Sequence, residues 1–215
     1  MNKKIKILIL IIIILLLLSV FHFVRNYIVL SKIYDNVYKF VEYDDNYKFT
    51  TKSYTILDEK NTVHSIYEEY VKDNILLVKW EFTPEYTEET KSLNYTSYYW
   101  KNFSKNEIIQ KTLDSDGNEL SENLTTWGEN YSNKSTFLLS KEVSKKDFLN
   151  NNYWNNIFNF FNKKDDFYTI NEQNGNYIKI KTTDNVCQLI RGNINITMEQ
   201  KIELDVVSED DIKIK

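Results

Sequence analysis

The chain has 215 residues, of which 27 are basic and 31 acidic, for a net charge of −4. Setting aside Lys3, Lys4 and Lys6 at the N-terminal flank leaves 24 basic against 31 acidic residues, a balance of −7. That balance excludes the basic footprint of a nucleic-acid binder and argues against electrostatic docking on anionic lipid. Aromatic residues make up 15%, with only four Gly and one Pro, which is neither a disordered nor a linker-rich composition.

The first element is an apolar run. Residues 7–18 are all Ile or Leu, and residues 5–24 are interrupted only by the polar Lys6, Ser19 and His22. Twenty residues rising about 1.5 Å each span about 30 Å, the thickness of a bilayer's hydrocarbon core. The lysines before the run place the N-terminus on the cytoplasmic side, although Arg25 and Lys32 beyond it weaken the bias. A cleaved signal peptide shares this layout but needs small residues at its exit. The chain contains no alanine, and Val20, Phe21, His22, Phe23 and Val24 are too large. The only cysteine, Cys187, is far from any lipid-attachment position. The expectation is an uncleaved anchor with its basic flank over residues 1–25 and an extracytoplasmic α+β domain over residues 26–215.

Residues 26–43 read as a helix continuous with the anchor, with Ile33, Val37, Phe40 and Val41 at helical spacing. Tyr-, Phe- and Thr-rich or alternating segments then predict strands over residues 46–57, 62–71, 75–82, 95–103 and 107–113, with a weaker one over 119–127. Val63, Tyr67 and Val71 are expected on one face of the second strand. Leu76, Val78, Trp80 and Phe82 form the apolar face of the third, opposite Lys79 and Glu81. Asp116-Gly117 and Asn174-Gly175 are hairpin dipeptides. Ser144 and Asp147 resemble a capping box opening a helix over residues 145–161, whose asparagines lower its propensity. Strands resume over residues 167–172, 177–182, 186–191, 193–199 and 201–207. Helix, long meander, helix and second meander make an α+β domain built on a curved antiparallel sheet.

No catalytic or metal motif stands out. His64 is the only histidine outside the anchor and reads as a solvent-facing strand residue. Residues 114–119 superficially resemble a calcium loop, but Gly117 falls at the fourth rather than the sixth position, so they read as a hairpin turn. Glu68 and Glu69 face opposite sides of a strand, which does not suit paired glycosidic carboxylates. Cys187 reads as a small buried strand residue, and an exported chain with no disulfide fits a bacterial envelope protein. No cofactor is implied. Leu76, Val78, Trp80 and Phe82 either fill a closed core or line a cavity between sheet and helices.

The layout resembles the lipoprotein-carrier (LolA-like) superfamily, in a membrane-anchored clostridial-type form. The resemblance rests on the helix-to-strand run of residues 33–51, on SIYEEYVKDNILLVKWEF (65–82) with SYYWKNFSKNEII (97–109), and on the C-terminal LDVVSEDDIKI (204–214). It implies an antiparallel half-barrel covered by helices, with a hydrophobic ligand between them. The chain departs from the pattern in lacking an early lipid-attachment cysteine and an Asp-Lys-Glu-Thr-Gly-type hairpin, so no functional residue is carried over. The expected function is a membrane-anchored, non-enzymatic extracytoplasmic binding protein for an acyl chain or lipoprotein. The alternative is an envelope-tethered structural or regulatory interaction module with a filled core and no small ligand.

Overall fold

The computed structural model describes residues 3–57, 60–82, 94–120, 143–158, 161, 164–172, 175–193 and 196–213. Helix α1 runs unbroken over Lys3–Glu42. It is long and apolar enough to cross a membrane, and none of its most apolar window is buried in the protein. No Gly or Pro interrupts it, so the apolar run and the amphipathic half form one rod. Its C-terminal half packs on one face of the sheet through Leu30, Ile33, Tyr34, Val37, Phe40 and Val41, each 0–7% exposed.

Among the described residues nine antiparallel strands follow: β1 Tyr47–Leu57, β2 Lys60–Lys72, β3 Ile75–Phe82, β4 Tyr95–Asn102, β5 Glu107–Asp114, β6 Tyr168–Asn171, β7 Tyr177–Thr182, β8 Val186–Gly192 and β9 Ile196–Leu204. Their order is β5-β4-β3-β2-β1-β9-β8-β7-β6. Each meander is a local set of hairpins, and β1 with β9 welds the two into an open sheet from Tyr47↔Leu204 to Thr55↔Ile196. The face toward α1 carries Phe49, Tyr67, Val78 and Tyr99 from the first meander and Ile170, Ile178, Ile180, Leu189 and Ile202 from the second, all in one core cluster.

Helix α2, Lys145–Tyr153, is opened by Ser144, whose hydroxyl accepts the Asp147 amide. It was expected to reach residue 161, but its α-helical part stops at Tyr153 and a 3-10 turn follows over Trp154–Asn156. The asparagines account for the early end. Asn152, Asn155 and Asn156 each donate from Nδ2 to the carbonyl four residues back, competing locally with regular backbone bonding. Among the described residues the helices are α1 and α2 with this extension.

The two final strands expected over 193–199 and 201–207 are a single strand, β9. Gln200 does not break it. Its side chain points inward at 1% exposure while the backbone stays paired to Thr51 and Leu189. The strand ends at Asp205, which adopts a left-handed φ of 58°. In the first hairpin the register passes from Ser53↔Ser65 to Tyr54↔Val63, so the pairing skips His64 at a bulge. The side chains of Val63 and His64 lie outside the described residues. Of the expected strand over 119–127, Glu119 forms a bridge to Leu113, and residues 121–142 lie outside the described residues.

Candidate functional site

The four residues expected to line a cavity do not share one environment. Leu76 is 6% exposed and Val78 0%, both in the core cluster that α1 joins. Trp80 and Phe82 are half-buried further along the strand. There they meet Tyr95 of β4 in an aromatic group, with ring centroids 5.4–6.0 Å apart. The alternation that put all four on one face is real, and the end-to-end change in burial depends on what lies above them.

The same face also holds buried polar groups. Glu69 is 0% exposed and accepts from the hydroxyls of Tyr47 at 2.5 Å and Tyr67 at 2.8 Å. Two facing hydroxyls make the burial of a carboxyl group tolerable, because neither of its oxygens is left in an apolar setting. Ser97 and Thr112, partners across β4 and β5, share a hydrogen bond of 3.0 Å. Glu68, one residue before Glu69, points the other way and pairs with Lys48 at 2.8 Å. Alternation predicted that the two carboxylates diverge. It gave no sign that Glu69 is sealed inside, since the tyrosines that satisfy it come from two different strands. Cys187 is buried in the core, and burial pushes its thiol up to about 12, which removes it as a nucleophile.

The opposite face carries a second apolar patch. Leu77 sits between Leu76 and Val78 yet is 5% exposed, flanked across the ladder by Tyr70 and Trp100, and the chain after β9 returns over this face. Asn46 clamps that return: its Oδ1 accepts from the Val207 amide at 3.0 Å, and Lys72 donates to the Val207 carbonyl at 3.0 Å. Further on, Trp100 Nε1 donates to the Ile212 carbonyl at 3.0 Å. Between this segment and the sheet lies a cleft of about 510 Å³, lined by Ile75, Trp100, Ile109 and Ile212, with Asp73, Glu209 and Lys213 also on its wall. Its size falls in the range of small-molecule sites. The register of β3, β4 and β5 puts Ile75, Trp100 and Ile109 on the outer face with Leu77. Sequence reasoning missed this patch, because residues 205–213, which return over that face, carry few apolar side chains.

Where α1 leaves its apolar run, it is bonded to the end of α2. His22 Nε2 lies 2.8 Å from the Ile157 carbonyl, and Asn26 Nδ2 donates to the carbonyls of Asn156 and Ile157 at 3.3 and 3.2 Å. Arg25 reaches the Phe161 carbonyl at 3.4 Å. His22, a polar interruption of the apolar run, thus joins Arg25 and Asn26 on carbonyls at and beyond the end of α2, where a helix terminus leaves such groups without intrahelical partners.

The loop that resembled a calcium site is a turn held by its own carboxylate. Asp114 Oδ1 accepts the amides of Asp116 and Asn118 at 2.9 and 2.8 Å, and Gly117 takes a left-handed φ of 85°. The Asn118 side chain and these amides hold the Asp114 carboxyl below the ordinary value. Among the described residues no group of three or more His, Cys, Asp or Glu side chains could hold a metal ion. No protein-family model matches the chain, and comparison with curated proteins finds no match.

Proposed function

We propose that this chain is a single-pass, membrane-anchored extracytoplasmic binding protein with its N-terminus inside the cell. The observation that carries the reading is α1, which supplies a membrane-length apolar segment and, without a break, the core of the sheet domain. A domain built on its own anchor is held at the membrane surface. The lysines at residues 3, 4 and 6 support the orientation. Cysteines placed at position 2 and at exposed Asp116 of a Cys187→Ser chain would test it. In intact cells, an impermeant maleimide is expected to label position 116 only. Labelling of position 2 alone would reverse the topology.

The binding activity is proposed for a hydrophobic ligand with a polar head. The apolar cleft on the outer face supports it better than the space beneath α1, where Leu76 and Val78 are already packed. The LolA-like half-barrel covered by helices remains part of this proposal only as a likeness of layout. Native mass spectrometry of residues 26–215 is expected to show co-purifying lipid or tight acyl-dye binding, lost in Ile109→Glu. A lipid-free protein that binds no acyl dye would leave the interaction module. That second reading is favoured by the packed core and by Phe103, Ile108 and Ile109, apolar and exposed at and beside edge strand β5.

A further inference from the structure

We infer that the tip of α2, through Trp154 and Phe158, forms a second point of membrane insertion beside the anchor, embedded at the outer lipid interface. The inference rests on the reading of α1 as a membrane span. Every exposed position of α1 from Ile7 to Ile28 is apolar except Ser19. The next exposed positions are Lys32, Asp35, Asn36 and Lys39. The hydrocarbon boundary therefore falls between Ile28 and Lys32.

Helix α2 runs antiparallel to α1. At its start Lys145 pairs with Asp35 at 2.7 Å, on the polar side of that boundary. At its end the carbonyls of Asn156 and Ile157 meet Asn26 and His22. Asn26 lies six residues before Lys32, so the tip sits roughly 9 Å to the membrane side of the first exposed charge. Interfacial segments bury by about 5–10 Å.

The tip's composition matches that depth. Lys145, Lys146 and Asp147 are the only charged residues between 145 and 158, and all three lie at the membrane-distal end. Trp154 is 70% exposed and Phe158 83%, and Phe21 and Tyr27 on α1 are exposed as well. Tyr153 links the two helices by ring contact with Tyr27 at 6.4 Å. In water these aromatics would form an unsupported apolar surface, whereas at a headgroup boundary Trp and Tyr are favoured. The bonds from His22, Arg25 and Asn26 acquire the same rationale. Carbonyls carried below the boundary must be satisfied by protein, because no water is there to do it.

The test uses the full chain in phosphatidylcholine vesicles, with tryptophan fluorescence quenched by lipid brominated near the top of its acyl chains. The contribution of Trp154, taken as wild type minus Trp154→Phe, is expected to fall at least twofold. Adding Phe158→Trp to that variant is expected to restore the quenching. A chain that resists carbonate extraction while neither position is quenched overturns the inference and leaves the anchor intact. That outcome would point to a protein partner on these aromatics. A chain released by carbonate overturns the anchor reading itself.

Discussion

Cutting α1 at two points separates its apolar run from its core-packing half. A chain of residues 26–215 keeps every buried residue of α1, whereas residues 44–215 lose Leu30, Ile33, Tyr34, Val37, Phe40 and Val41. Full burial of one such side chain contributes about 1.5–3 kcal/mol, so the six together contribute about 9–18 kcal/mol. A domain's whole stability is about 5–15 kcal/mol. The shorter chain is therefore expected to lack a cooperative urea transition and near-UV circular dichroism, while the longer one shows both. A graded version is Phe40→Ala within residues 26–215. Phe40 is 0% exposed, and deleting a buried Phe side chain costs about 3–5 kcal/mol. At a slope near 2 kcal/mol per molar, the urea midpoint should fall by about 1.5–2.5 M. If residues 44–215 unfold cooperatively at the midpoint of the longer chain, α1 is a tether laid on a finished domain, and the argument for a rigid attachment fails.

Glu69→Ala removes the carboxylate that accepts from the Tyr47 and Tyr67 hydroxyls, at about 1–3 kcal/mol for each bond, and should destabilise the domain by about 2–6 kcal/mol in urea titrations. Glu69→Gln keeps one accepting oxygen and offers the other hydroxyl a donor, so its loss should be less than half as large. Cys187, buried and with its thiol pushed up to about 12, should resist maleimide at pH 8 until urea unfolds the chain. Equal labelling rates in native and unfolded protein would contradict that burial. Asp114 is held below its unfolded value of about 3.8 by Asn118 and neighbouring amides. The turn's stabilisation is therefore complete above that value and disappears as pH falls through the lower folded value. A carboxyl-carbon titration by NMR should place the Asp114 midpoint below those of exposed aspartates.

Local physics made much of this fold legible. The alternation in Ile75–Phe82 sorted the faces of β3 correctly, and the Ser144–Asp147 spacing marked the start of α2. Where such reasoning failed, a long-range partner decided the outcome. Gln200 looks like a break between two strands, but strands on both sides hold it in the ladder. The asparagine-rich stretch after Leu149 reads as a weak helix. Its early end is useful because it delivers the carbonyls of Asn156 and Ile157 to α1.

By itself the sequence determined a membrane-length apolar segment, its basic flank, a helix fused to it and two meanders of adjacent strands. Those properties follow from spacing and composition within a few residues of one another. Only the tertiary structure decided that β1 and β9 join the meanders. It also decided that the inner face is packed by α1, that residues 205–213 build a cleft on the outer face, and that His22, Arg25 and Asn26 receive the end of α2. The pairing of β1 with β9 and the hydrogen bonds of His22, Arg25, Asn26 and Trp100 each span more than 100 residues of chain, a separation across which hydrophobic period and turn chemistry carry no information.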